Sequence, residues 1–278
     1  MGRREDNIKV FADTRTFVNE DENLRKLVAD TINRQKIIFA EDFIPEPEKR
    51  RNRSANIIVS GKRTLEAASA YKDKNVCVLN FASAKNPGGG VENGSSAQEE
   101  SLCRCSTLYF VLSADEMMAK FYKPHRKAKN PFYNDDLIYS PDVCVIKTDS
   151  HRPERLHKSD QFMVNVITCA APNLRLNAGD VVNTIKVEKI ARISDDELSA
   201  IFEKRVDRII ATAAAEDNDV LILGAFGCGA FCNPPEIVAR AFHKVLDGYI
   251  DCFETVEFAV CCTDHETDNF KEFKKEFG

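Results

Sequence analysis

Two adjacent carboxylates, Glu99 and Glu100, follow three consecutive glycines, Gly88 to Gly90, with seven residues and then Gln98 between them in NPGGGVENGSSAQEESLCRC. Glycine loses more backbone freedom on folding than any other residue, so a triple run is costly unless backbone must approach a ligand. An acid set beside such a loop suits hydrolysis of a glycosidic bond. There one carboxyl group protonates the leaving oxygen and then, as a base, activates water. On a helix neighbouring side chains point about 100° apart, so Glu99 and Glu100 are expected to face different ways. One would accept hydrogen bonds from sugar hydroxyls while the other reaches the reacting atom. A phosphate beside Glu100 would raise its pKa by like-charge repulsion. Two acids in a helix's first turn also suit the macrodipole, so helix capping is the plainer alternative.

A second glycine stretch, GAFGCGAFCNPP, begins at Gly224. Its Gly224, Gly227 and Gly229 spell GxxGxG, which is not the dinucleotide fingerprint. VSGKRTLEA fails as a P-loop, because Asn56 stands at the first glycine and Arg63 at the required Ser or Thr. Each glycine stretch nevertheless follows an apolar strand and precedes a helix, the junction where open α/β sheets bind ligands. Unpaired N–H groups and partial positive charge at a helix start favour phosphate there. Phe226 and Phe231 flank the second loop, placed to stack on a ribose or base or, as an alternative, to fill the core.

The elements that must hold these loops can be read from periodicity. DENLRKLVADTINRQKI places Leu24, Leu27, Val28 and Ile32 near one helical face, and residues 1–54 read as helical and charged. PEPEKRRNRS is a connector. NIIVS, NVCVLNFA, DDLIYSPDVCVIK, FMVNVITCAAPN, DVLILGAF and TVEFAVCC read as strands or strand-bearing stretches. Helices are expected over RTLEAASAYK, from about Gln98 to Leu112, over SDDELSAIFEKRVDRIIATAAAE with Ser194 as N-cap, over PPEIVARAFHKVL, and at the end of the chain. Alternating strands and helices predict an α/β fold with a mixed sheet covered on both faces.

The 278 residues, 43% hydrophobic and 30% charged, suit one large domain or one domain with an elaborated end. A net charge of -5 argues against general nucleic-acid binding. No signal peptide or membrane-spanning run is evident, so a soluble, cytoplasmic protein is expected. The ten cysteines include no paired CxxC, and the histidines do not complete a zinc site. Reduced thiols are expected, with Cys77, Cys144, Cys169, Cys261 and Cys262 in or beside apolar runs. His125, His151, His157, His243 and His265 read as surface residues.

LNFASAKNPGGGVENGSSAQEESLCRCSTLY closely resembles the signature of microbial-type poly(ADP-ribose) glycohydrolases, a Gly-Gly-Gly run followed by Gln-Glu-Glu, here Gln98-Glu99-Glu100. LIYSPDVCVIK, VNVITCAAPN and LILGAFGCGAFCNPPEIVARAF extend the resemblance over about residues 55–262. It implies a macrodomain-like three-layer α/β/α domain over 55–278, with 1–54 as an N-terminal helical extension. It implies an ADP-ribose pocket and neither metal nor cofactor. Glu100 would then protonate the departing ribose oxygen, and Glu99 would bind hydroxyls of the ribose being cut. Gly88, Gly89 and Gly90 would approach that ribose and the diphosphate. Gly227, Cys228, Gly229, Ala230 and Phe231 would wrap the diphosphate, with Phe231 against the distal ribose. Asn80 and Asn86 would contact ribose, while Gln98 would touch ligand or support the loop. The substrate would be poly(ADP-ribose) or another ADP-ribosylated macromolecule, and ADP-ribose the product. A mono-ADP-ribosyl hydrolase and a non-catalytic ADP-ribose reader remain as alternatives.

Overall fold

A computed structural model describes residues 3–48, 50–175, 193–262 and 267–278. Seven strands form one mixed sheet: β1 (Lys36–Ile38), β2 (Asn56–Ser60), β3 (Val76–Phe81), β4 (Leu137–Val145), β5 (Phe162–Cys169), β6 (Val220–Leu223) and β7 (Thr255–Ala259). Their order is β1-β4-β5-β3-β6-β7-β2. Five strands from β5 to β2 run parallel, while β4 is antiparallel to both β5 and β1. Side chains alternate across a strand, so a strand covered on both faces reads as a continuous apolar run. In β3, Cys77 and Leu79 enter one core while Val76 and Val78 enter the other. Leu221 and Leu223 of β6 divide from Val220 and Ile222 in the same way.

The helices are α1 (Arg3–Glu20), α2 (Glu22–Arg34), α3 (Thr64–Ala68), α4 (Gln98–Cys105), α5 (Leu108–Leu112), α6 (Asp115–Met117), α7 (Lys123–Ala128), α8 (Asp195–Ala215), α9 (Pro235–Leu246) and α10 (Asp268–Phe277). Residues of α8, α9 and α10 build the first core, and those of α3, α4 and α5, with Phe11 of α1, build the second. Three layers result. Ser194 caps α8 as expected: its Oγ accepts Glu197 N–H, and the Glu197 carboxylate accepts Ser194 N–H.

Two expectations need correction. The helix expected from Gln98 to Leu112 breaks after Cys105, where Ser106 is extended and bridges Val145. Thr107 exchanges hydrogen bonds with Cys144, so pairing with β4 wins over helix continuation. The N-terminal extension is also not purely helical. Its Lys36–Ile38 run forms β1 and pairs with β4 over three residues, too short a strand to stand out by periodicity.

Candidate active site

Strand β3 ends at Phe81, and the chain turns through the first glycine loop into α4. Gln98 fastens that helix to the strand. Its Oε1 accepts Phe81 N–H at 2.9 Å, and its Nε2 donates to Leu79 O at 2.7 Å and Thr64 Oγ1 at 3.0 Å. The next two residues turn their carboxyl groups onto the same loop. Glu99 Oε2 accepts Ser83 N–H at 2.8 Å, and Glu100 Oε1 accepts Gly90 N–H at 2.9 Å. The expected divergence of the two acids is therefore undone by their long side chains. A Cβ on Gly89 would stand 2.5 Å from Glu100 Oε1 and 3.0 Å from Glu99 Oε2, and Gly89 has φ +58°. Only glycine fits between the two carboxyls in that backbone conformation.

Both acids are buried. Burial, reinforced by the charge of Glu100, pushes the Glu99 carboxyl up to about 8, against the Ser83 and Asn80 hydrogen bonds that lower it. Burial therefore favours the protonated form of Glu99. Glu100 Oε2 is buried and has no hydrogen-bond partner. Such an atom costs free energy unless a ligand completes it.

Asn80 lies beneath these acids, fully buried. Its Nδ2 reaches Thr168 Oγ1 at 3.2 Å and Glu99 Oε1 at 3.5 Å, while its Oδ1 is unpaired. Asn86 is exposed, and its Oδ1 accepts a hydrogen bond from Arg126.

The second loop leaves β6 and enters α9. Gly227 has φ +78°, and a Cβ there would stand 2.4 Å from Ala171 Cβ and 2.7 Å from Asn233 Nδ2. Asn233 Nδ2 ties the loop down through Gly227 O at 3.0 Å and Pro172 O at 2.7 Å. Gly229, by contrast, has nothing within 4 Å of a notional Cβ. The Phe226 ring is buried between Phe81 and Phe202, with centroids 5.7 and 6.1 Å away. Core packing thus accounts for the ring. Phe231 is half-buried, with Tyr133 at 6.3 Å. The Cys228 thiol is partly covered, and burial pushes its pKa up.

A cavity of about 510 Å³ lies between the start of α4 and the second loop. Gln98, Phe226, Gly227, Gly229, Ala230 and Phe231 contribute to its wall. Asn80, Asn86, Gly88, Gly89, Gly90, Glu99, Glu100 and Cys228 do not. Glu99 and Glu100 directly follow the wall residues Ser96, Ala97 and Gln98.

The wall also holds residues that no motif had singled out: Arg63, Asp149 and His151. Asp149 accepts Ser101 Oγ–H at 2.7 Å and Leu65 N–H at 3.1 Å, and burial raises its pKa. Arg63 Nη2 lies 3.3 Å from His151 Nδ1. These side chains come from segments far apart in the chain, so no local spacing announces them. His151 thus faces the cavity. His125 is buried, its ring nitrogens 2.8 Å from Phe121 O and 2.7 Å from Asn134 Oδ1, which makes burial affordable. His265 lies outside the described residues. Cys261 is exposed on the cavity wall and is no core residue. Among the described residues no group of three or more His, Cys, Asp or Glu could hold a metal.

Residues 7–148 match the family model described as the microbial-type PARG catalytic domain. Solved structures similar to the chain include the poly(ADP-ribose) glycohydrolase of Thermomonospora curvata, at 29% identity and TM-score 0.82 over 98% of this chain and 100% of that one. The same enzyme bound to the inhibitor ADP-HPD is 30% identical, with TM-score 0.80 over 98% of this chain and 99% of that one. The enzyme from Deinococcus radiodurans in complex with ADP-ribose is 31% identical, with TM-score 0.71 over 90% of this chain and 96% of that one. Curated proteins offer no match.

Proposed function

This chain belongs to the family of microbial-type poly(ADP-ribose) glycohydrolase catalytic domains and is a glycohydrolase, and we propose the following roles for its residues. Poly(ADP-ribose) is its substrate, the ribose–ribose O-glycosidic bond is the one cut, and ADP-ribose is released. The diphosphate runs along the backbone of Gly227, Cys228, Gly229 and Ala230, where N–H groups supply charge complementarity without lysine. Phe231 packs against the distal ribose, while Phe226 supports the loop from below. Gly88, Gly89 and Gly90 bring backbone against the ribose that is cut.

Glu100 is the acid. It protonates the departing ribose oxygen as an oxocarbenium-like state forms, then takes a proton from the attacking water. The observation that carries this reading is its divided carboxyl group: Oε1 is held by Gly90 N–H, and the buried Oε2 is unpaired. Glu99, whose protonated form burial favours, exchanges hydrogen bonds with the hydroxyls of the ribose that is cut. Asn80 holds Glu99 and offers its unpaired Oδ1 to the same ribose. Gln98 supports the loop, since all its polar atoms are engaged with β3 and Thr64. Asn86 contacts ribose from the loop's exposed side.

The working unit is residues 55–278 with residues 1–54 packed on it as an extension. A cytoplasmic setting is in keeping with the ten free thiols. Among the described residues no helix is long and apolar enough to cross a membrane. The test is a time course on defined poly(ADP-ribose), resolving ADP-ribose from oligomers. Steady release of ADP-ribose is expected. Release only from singly modified protein or nucleic acid would replace the polymer with a mono-ADP-ribosyl linkage, and binding without release would leave a reader.

A further inference from the structure

Helix α1 is more than a cover on the domain, for one of its faces grips the loop that carries Glu100's hydrogen-bond donor. Asn7, Phe11, Thr14 and Val18 are its buried residues, at spacings that put them on one stripe. Asn7 Nδ2 donates to Gly94 O at 3.0 Å in a buried bond, and Arg4 Nε donates to Asn93 O at 2.6 Å. The approach is close: a Cβ on Gly94 would stand 2.3 Å from Arg4 O. One turn further on, Phe11 packs edge-on against Tyr109 at 4.9 Å, and Thr14 Oγ1 donates to Arg104 O in α4 at 2.5 Å.

The gripped segment leads straight to the acid. Asn93 N–H and Ser95 N–H both donate to Gly90 O, at 3.0 and 3.1 Å, while Gly90 N–H donates to Glu100 Oε1 at 2.9 Å. Gly90 therefore meets Glu100 through its N–H and the α1-bound turn through its carbonyl. We propose that Asn7 is a positioning residue for the glycohydrolase reaction: by holding the Gly94 carbonyl it fixes the Gly90 N–H that orients the Glu100 carboxyl. The inference rests on the role given to Glu100 above. The middle of α1 is anchored separately, by buried Lys147, whose Nζ lies 2.7 Å from Val10 O and 2.8 Å from Asp13 Oδ2.

That separation supplies the control. In the full chain, Asn7→Ala is expected to lower kcat ~10- to 100-fold, the penalty for misplacing a catalytic group by a fraction of an ångström to an ångström. KM and the ADP-ribose Kd should stay within about threefold, since the second loop is untouched. Asn7→Ser, which is too short to reach Gly94, should behave alike and covers the case in which the alanine variant fails to fold. Asp13→Asn removes the ionic anchor and is expected to lower Tm while leaving kcat near wild type at a temperature where it is folded. Wild-type kcat in the Asn7 variants overturns the proposal, as does a kcat loss that follows Tm equally in the Asn7 and Asp13 variants. If Glu100→Gln also keeps wild-type turnover, the assignment of Glu100 fails; if it is inactive while the Asn7 variants are not, only the role of Asn7 fails.

Discussion

The two glycine loops leave equivalent places in the sheet, at the ends of neighbouring parallel strands, yet they are built to opposite ends. The first is gripped all round: two carboxyl groups press on Gly89, and α1 holds the carbonyls of Asn93 and Gly94. The second is tied where Asn233 holds Gly227 and where Leu174 N–H donates to Phe231 O, and is open between them at Gly229 and Ala230. A group that transfers a proton must be fixed before substrate arrives, because its reorganisation would add to the barrier. A backbone that wraps a diphosphate needs only its N–H groups free. The difference suits the roles proposed for them, chemistry at the first loop and binding at the second.

Substitutions at matched glycines can break that comparison. Apart from changes to the acids themselves, the largest effect is expected at Gly89. Gly89→Ala places a methyl group against both carboxyls in a left-handed conformation that costs an L-residue about 1–2 kcal/mol. Its kcat should fall ~100-fold or more, by displacement of Glu100. Steady-state kinetics within threefold of wild type would show that the acids tolerate movement.

Gly227→Ala comes next. Its methyl group meets Ala171 and Asn233 at φ +78°, so Tm should drop and the ADP-ribose Kd should rise about tenfold or more. A calorimetric titration reads the affinity. Gly229→Ala points its methyl into open space and should change Tm little. Equal Tm losses at Gly227 and Gly229 would contradict a loop held at Gly227 and open at Gly229.

The smallest effect concerns pH. Folding raises the Glu99 pKa from the ordinary 4.5 to about 8, so between those values the folded chain holds a proton that the unfolded chain has lost. The stability this gives is fully present below 4.5 and is lost as pH rises through about 8. Tm should therefore fall more steeply with rising pH in wild type than in Glu99→Gln. Parallel Tm profiles across that window would mean that Glu99 ionises normally.

How much of this was legible in the sequence follows from how local each feature is. Glycine's backbone freedom and glutamate's chemistry belong to the residues themselves, so Gly88 to Gly90 and Glu99-Glu100 could be read directly. The apolar strands flanking both loops were equally plain, because burial on both faces writes continuous hydrophobic runs. Features set by distant partners were not. The break at Ser106 depends on β4, and the Arg63, Asp149 and His151 wall depends on segments far apart in the chain. The buried stripe of α1 alternates polar with apolar residues, Asn7 and Thr14 with Phe11 and Val18, so hydrophobic periodicity passes over it. Its polar members are buried because the glycine loop and α4 offer them carbonyls.

The most direct test of the account compares turnover and affinity in one variant, Glu100→Gln. The amide keeps the shape of the side chain but cannot donate and recover a catalytic proton. Release of ADP-ribose from poly(ADP-ribose) is expected to fall by ~10²- to 10⁴-fold, the usual contribution of a general acid–base group. The ADP-ribose Kd should remain within about threefold, because the binding proposed for the second loop is untouched. Turnover at the wild-type rate would remove Glu100 from the chemistry, and with it the division of labour between the two loops.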